Sequence, residues 1–467
     1  MPDFERGARS VKQNRSRNAL TRRDFIRLGA GAAATGATAK VTLLEPRAFR
    51  AATRAVPPSD TLRFASIGTG VRGCEDLKTA LSCPGTEMVA VCDLYDGRLT
   101  AAQEVARKQL ATTKDYRAVL DRKDVDFVIV ATPDHWHAKI VEDACAAGKD
   151  VYCEKPMSHT VEEGFAMAGA AEKYNRIVQV GSQRRSGIVF AKAREIYASG
   201  ALGQVTAIEA WIDRNDASGA WVYPVPPDAS EQTIDWNRFL GSAPKRPFDA
   251  KRFFRWRCFR DYGEGLPGDL YVHLLTGILT ITGVNAPPER ALSTGGVFRW
   301  KDGRDAPDLI WTFYEYPDFR VAVRCNLNNE SPADVTRIFG TKATLEVKGE
   351  TLTVVPQNTR PQPEGYSIFG WPEKLRNEYL KEWRAQHPDP APGNYSVVEE
   401  AQTFQAPPGY EDQIDHMNNF LESVRTRRPS AEDAVFGNHT AIACHMANYS
   451  YFNKAVAVWD EAAKQIK

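Results

Sequence analysis

The stretch Gly68-Thr69-Gly70-Val71-Arg72-Gly73 sets three glycines at a spacing that lets a backbone turn out of a strand, approach a diphosphate closely and open a helix. Amide groups at such a helix N-terminus can bind the pyrophosphate of a dinucleotide. Asp93 lies 20 residues after Gly73, at the end of the next apolar run. A carboxylate in that place can accept hydrogen bonds from the adenosine ribose hydroxyls. It also disfavours a 2′-phosphate, and Leu94-Tyr95 bring no cation to its side, so the pattern predicts NAD in preference to NADP.

Three later motifs carry side chains suited to proton and charge handling. Thr132-Pro133-Asp134-His135-Trp136-His137 follows an apolar run, where the loops of a parallel sheet bind ligands. Its alternate histidines have no Cys, His or carboxylate at supportive spacing, so no metal is expected. Thr132, Pro133, His135 and His137 are instead expected to border the cofactor, although a packing role reads equally well for either histidine. Glu154-Lys155-Pro156 ends the next run. There an ammonium can stabilise a developing alkoxide, and Glu154 can reach a ribose hydroxyl. Asp269 and His273 stand four apart ahead of an apolar helical pattern, which would place them on one helix face. A histidine titrating near neutrality can take a hydroxyl proton, with the carboxylate binding substrate or orienting the ring. The competing reading is an Asp N-cap and a core histidine.

Short apolar runs alternate with helical segments through the first of these motifs. Strands are predicted at 62–67, 88–92, 127–131, 150–153 and 177–180, with helices at 98–111 and 138–147 between them. This rhythm implies a parallel doubly wound sheet. From about residue 203 the strands at 205–212, 291–298, 309–316, 320–326, 335–339 and 343–347 follow without intervening helices, which suggests an antiparallel sheet. Residues 355–363 and 385–393 read as exposed excursions, and helices at 412–426 and 437–458 close the chain. The expected class is α/β, an N-terminal Rossmann dinucleotide-binding domain joined to an α+β domain with an open, mainly antiparallel sheet. The expected boundaries are 1–55 leader and linker, 60–185 Rossmann domain, 186–435 second domain and 436–467 C-terminal helical segment.

Lys and Arg total 60 against 59 Asp and Glu, so no basic excess exists to attract nucleic acid or anionic lipid, and a small-molecule substrate is expected. The eight cysteines lack Cys-x-x-Cys spacing and form neither a disulfide framework nor a zinc set. Arg22-Arg23 within Thr21-Arg22-Arg23-Asp24-Phe25-Ile26-Arg27 precedes a weakly apolar Gly/Ala stretch, 28–44, too short and too polar to span a membrane. It reads as a twin-arginine export signal, which places the protein in the periplasm or otherwise outside the cytoplasm, with no membrane contact beyond the signal.

Together these motifs resemble the Gfo/Idh/MocA family, the relatives of glucose-fructose oxidoreductase and inositol dehydrogenase. The resemblance covers residues 62–451 and rests on Gly68 to Gly73 with Arg72, Thr132-Pro133 with His135 and His137, Glu154-Lys155-Pro156, and Asp269 with His273. It implies that Lys155, Asp269 and His273 surround a sugar or cyclitol hydroxyl: His273 as general base, Lys155 stabilising the oxygen, Asp269 orienting substrate and imidazole. It assigns Gly68, Thr69, Gly70, Val71, Arg72, Gly73, Asp93 and Glu154 to the cofactor. Gln183 is read as a contact to the carboxamide or substrate, and Arg257 and Tyr262 as contacts to sugar hydroxyls. The family also implies pairing of open sheet faces in a dimer or tetramer. Because an exported enzyme meets no soluble NAD pool, the cofactor is expected to be tightly bound. Two activities meet that condition, a sugar or cyclitol dehydrogenase and a redox-neutral glycoside hydrolase of the N-acetylgalactosaminidase type. The segment Gly268 to His273 is closer to the dehydrogenase pattern. A non-catalytic sugar or cofactor sensor is the third reading.

Overall fold

The computed structural model describes residues 41–45, 60–330, 334–357, 367–387 and 400–467. The twin-arginine segment lies outside them. Strand β1 (Val41–Leu43) comes first, followed by β2 (Leu62–Ile67), β3 (Thr86–Cys92), β4 (Ala111–Thr113), β5 (Phe127–Val130), β6 (Asp150–Cys153) and β7 (Val178–Val180). Strands β2 to β7 make a parallel sheet in the order β4-β3-β2-β5-β6-β7. Its strands β5, β6 and β7 are buried throughout, as expected when helices cover both faces of a parallel sheet. The sheet order reverses at β2, so the loops after β2 and β5 flank the crevice in which such sheets bind ligands.

The second sheet adds β8 (Val205–Asp213), β9 (Arg290–Gly296), β10 (Leu309–Glu315), β11 (Arg320–Asn326), β12 (Asp334–Gly340), β13 (Ala343–Lys348), β14 (Thr351–Pro356), β15 (Gln402–Gln405), β16 (Ala457–Asp460) and β17 (Gln465–Ile466). Its order is β1-β15-β14-β13-β12-β8-β11-β10-β9-β16-β17. All pairs are antiparallel except β8 with β11 and β1 with β15. Alternation decides its faces. Val321, Val323 and Cys325 of β11 point inward, while Arg320, Ala322 and Arg324 point away. The inner face packs in one core with helices Ile188–Ala198 and Val272–Thr282. The outer face presents Trp211 and Trp311 with Arg324 over both rings, and leaves Leu292 and Phe313 exposed.

Four local expectations are corrected. The helix expected over 98–111 runs Asp96–Ala106, and Ala111 starts β4. The last helix is Ala434–Asn453, after which the chain extends as β16 instead of continuing to residue 458. Helix Asp412–Thr426, expected in the second domain, packs through Met417, Phe420, Leu421 and Val424 on the parallel sheet, with the Phe420 ring 5.2 Å from Phe127. The leader boundary at residue 55 runs past β1, whose residues pair in register with Thr403 to Gln405. In each case a local composition was overridden by a partner brought from far along the chain.

Candidate functional site

The glycine loop turns as its spacing requires. Gly68 has φ of +84°, and a Cβ there would lie 2.7 Å from the Ala131 backbone, while one on Gly73 would lie 2.1 Å from the Gly68 carbonyl oxygen. The helix that follows, Val71–Ser82, begins at Gly70 with no side chain capping it, so its first N–H groups remain free for an anion. Gly68, Gly70, Val71, Arg72, Asp93, Thr132 and Pro133 line a cleft of about 990 Å³ open to solvent. Thr69 and Gly73 form the loop without lining the cleft. Asp93 accepts the Thr69 N–H at 2.7 Å and the Tyr95 N–H at 3.0 Å. It therefore ties the glycine loop to the end of β3 as well as facing the cleft.

The absence of a cation beside Asp93, inferred from its neighbours in sequence, is overturned by the fold. The Arg98 guanidinium lies 3.8 Å from the Asp93 carboxylate and stacks on Phe253 and Phe254. Lys114, Arg117 and Arg238 line the same end of the cleft. Part of this wall comes from a segment of the second domain, whose Tyr223, Phe239, Phe254, Trp256 and Arg257 face the glycine loop. Several bonds fasten that segment down: Tyr95 O–H to Asp228 at 2.5 Å, Asp235 N–H to Leu94 O at 2.9 Å, and Arg238 to Asp115 at 3.3 Å. Nothing in the local sequence of either segment announces the pairing.

Lys155 ends β6 and points toward the second domain. Its Nζ donates to the Asp269 carbonyl oxygen at 2.8 Å and to Asp269 Oδ1 at 2.9 Å. Arg257 Nε also reaches Oδ1, at 2.9 Å, and the Trp221 indole N–H reaches Oδ2 at 3.1 Å. Burial alone would raise the Asp269 carboxyl, but Lys155 and Arg257 hold it well below the usual carboxylate range. Trp221 is fully buried with φ of +62°, a left-handed conformation that a bulky residue adopts only under constraint. Sequence reasoning missed it, because its only signal is a Ser-Gly-Ala turn before it.

Asp269 does not share a regular α-helix with His273. Pro267–Tyr271 forms a π-turn, and the α-helix Val272–Thr282 begins after it. Every residue of that helix is buried except His273, so burial itself singles out the imidazole. Burial, then the positive charges of Lys155 and Arg184, push His273 well below its ordinary value, and Asp269 opposes them. A value near neutrality was expected; the lowered ring is a weaker base than a free imidazole. The expected orienting of the imidazole by Asp269 is replaced by the clamp on Lys155, since both carboxylate oxygens face Lys155, Arg257 and Trp221. Arg257 lines the cleft and also pairs with Asp269, so one guanidinium joins the cofactor cleft to the Lys155, Asp269 and His273 group.

The other assigned residues sit as follows. Glu154 does not reach into the cleft: its carboxylate takes Arg72 Nε at 2.9 Å and the Lys155 backbone N–H at 3.2 Å. Arg72 also pairs with buried Asp76 at 2.8 Å. Both nitrogens of His135 face backbone carbonyls, of Phe239 at 2.8 Å and Tyr262 at 3.3 Å. Those of His137 face Pro156 at 2.8 Å and Thr132 at 2.9 Å. Neither lines the cleft; they brace the loops that do. Tyr262 is fully buried against His135 and Phe239. Gln183 is buried outside the cleft lining. Among the described residues no cluster of three or more His, Cys, Asp or Glu is arranged to hold a metal, and no helix is long and apolar enough to cross a membrane.

Residues 62–182 match the model of the Gfo/Idh/MocA family, described as an oxidoreductase family with an NAD-binding Rossmann fold. The first domain is thus an NAD-binding Rossmann domain. The chain is similar to inositol 2-dehydrogenase of Salmonella typhimurium, at 34% identity over 146 residues, 31% of this chain and 44% of that protein. It is similar at 31% identity over 171 residues to a glycosyl hydrolase family 109 protein of Shewanella baltica, covering 33% of this chain and 37% of the other. The chain therefore spans less than half the length of these curated relatives. A solved structure of levoglucosan dehydrogenase in complex with NADH and levoglucosan shares the fold across both domains. It has a TM-score of 0.61 at 17% identity and covers 85% of this chain and 98% of the other.

Proposed function

We propose that this protein is an NAD-dependent oxidoreductase that moves hydride between the carbon of a secondary hydroxyl, on a sugar, glycoside or cyclitol, and a tightly held nicotinamide cofactor. The observation that supports it most is Lys155 clamped 2.9 Å from Asp269 beside His273, joined through Arg257 to the glycine-loop cleft. The residues present fit the cofactor. The uncapped N–H groups after Gly70 suit the pyrophosphate, Asp93 and Arg98 the adenosine end, and Thr132 with Pro133 the wall between them. When bound, NAD supplies the hydride acceptor. The chain supplies the rest: His273 accepts the hydroxyl proton at a ring nitrogen, and the Lys155 ammonium stabilises the oxygen as negative charge develops. Asp269 fixes the ammonium through two bonds, so its position costs no reorganisation during the reaction.

The reading includes export by the twin-arginine route, supported by Arg22-Arg23, and pairing of copies through the outer face of the larger sheet, where Leu292 and Phe313 are exposed. The similarity to a family 109 hydrolase favours a second reading, in which oxidation and return of hydride bracket elimination of an aglycone. Purified protein incubated with aryl glycosides, free sugars and inositols without added cofactor separates the two. A keto product supports the oxidoreductase and aglycone release without net NADH supports the hydrolase. Absence of both over a broad panel refutes the proposal.

A further inference from the structure

Asp134 stands next to Pro133 on the loop that walls the cleft, and the motif reading gave it no role. It is 3% exposed. Oδ2 accepts the Glu264 backbone N–H at 2.9 Å, from the turn leading to the π-turn that carries Asp269. Oδ1 is buried with no hydrogen-bond partner among the described residues. A carboxylate would leave that oxygen stripped of water and unpaired, the costly arrangement for an anion and the tolerable one for a protonated acid. The groups facing it come from four segments: His159 after β6, Cys153 within β6, Arg257 in the turn Trp256–Cys258, and Asp269. His159 and Arg257 favour its ionisation and Asp269 opposes it, but burial dominates and carries the acid up to about 7.

We propose that Asp134 is a positioning residue holding an exchangeable proton on the loop that walls the cleft, tied to the turn that leads to Asp269, and that its ionisation sets the net charge in which the Lys155, Arg257 and Asp269 cluster sits. With Asp134 protonated, Arg257 serves Asp269 alone, and the cluster of two cations and one carboxylate keeps a positive excess. Loss of the proton adds a second negative charge to the field around Arg257 and offsets that excess. Because the same loop lines the cleft, the negative diphosphate of a bound dinucleotide opposes the ionisation, so binding draws the proton in. The inference rests on the dinucleotide reading of the cleft.

The test is NADH binding to the full-length protein, followed by fluorescence from about pH 5.5 to about pH 8.5, for the wild type, Asp134→Asn and Asp134→Ser. Both replacements can accept the Glu264 N–H and neither can ionise. A bound-state pKa above the free one makes affinity highest in acid and lost as pH rises through the Asp134 value, by about tenfold for each unit of the difference. Both variants are expected to bind alike across the range. An infrared titration of the wild type should show a carboxylic-acid carbonyl band lost over the same interval, and its absence would refute the proposal even if neither variant folds. An unchanged inflection in a variant, or flat affinity in a wild type that binds NADH, also overturns it. Failure of the wild type to bind NADH at any pH would overturn the dinucleotide reading itself.

Discussion

Glu154 and Lys155 are chain neighbours that enter opposite kinds of buried cluster. Glu154 joins Asp76 and Arg72, two carboxylates around one cation. Lys155 joins Arg257 and Asp269, two cations around one carboxylate. Burial is severe in both, yet the outcomes diverge. In the first cluster burial and the nearby Glu154 raise the Asp76 carboxyl well above its ordinary value, against the pull of Arg72. In the second the carboxylate stays ionised and a positive excess remains. A cluster whose carboxyl resists ionisation is suited to holding loops, and an excess of positive charge is suited to stabilising a developing oxyanion. Charge balance, not the presence of an ion pair, separates the structural cluster from the candidate catalytic one.

The comparison breaks most visibly at Lys155. Replacing Lys155 with Met should lower turnover by about 10²- to 10³-fold, the usual loss when a preorganised donor is removed, while NADH still binds. Parallel steady-state kinetics and fluorescence titration check this, and a loss of NADH binding of the same size would assign the residue to the cofactor. Arg72→Met should be the largest effect on folding, about 3–5 kcal/mol by urea denaturation, because it strands Glu154 among buried groups. A loss of comparable size for each ring, spread over several pH units, is expected in acid. His135 and His416 are pushed down to about 4 by burial, against 6.5 when free. As pH falls the unfolded chain takes these protons first, so stability present above about 6.5 is lost on the way to about 4, on the order of 3 kcal/mol for each ring. His135→Gln should flatten the dependence of Tm on pH over that interval. The smallest effect belongs to Asp76→Asn, which keeps the size of a carboxyl that burial raises well above its ordinary value. It should shift stability by less than about 1 kcal/mol, and a loss as large as that of Arg72→Met would show that Asp76 is ionised.

Much of the scaffold was legible because its signals are local. The strand-like run at 320–326 foretold a strand, and the glycines of 68–73 foretold a tight turn into a helix. Lys155, Asp269 and His273 were legible as chemistry, and the structure brings Lys155 to Asp269 with His273 in their field. Roles that depend on direction were not. His135 and His137 read as cofactor neighbours, but their rings turn to backbone carbonyls contributed by Phe239, Tyr262, Pro156 and Thr132. Arg98 was invisible beside Asp93 because a helix turn separates them in sequence and only the fold closes it. Trp221 lies 48 positions from the carboxylate it serves, so no periodicity links them.

By itself the sequence determined the order of the elements, the faces they bury, the glycine turn and the residue types available for proton and charge transfer, since each follows from patterns a few residues long. The tertiary structure decided which side chains meet. Glu154 finds Arg72 across 82 positions and Lys155 finds Asp269 across 114. Adjacent side chains leaving a strand end point different ways, and the partner that arrives on each side is supplied by the packing of distant elements.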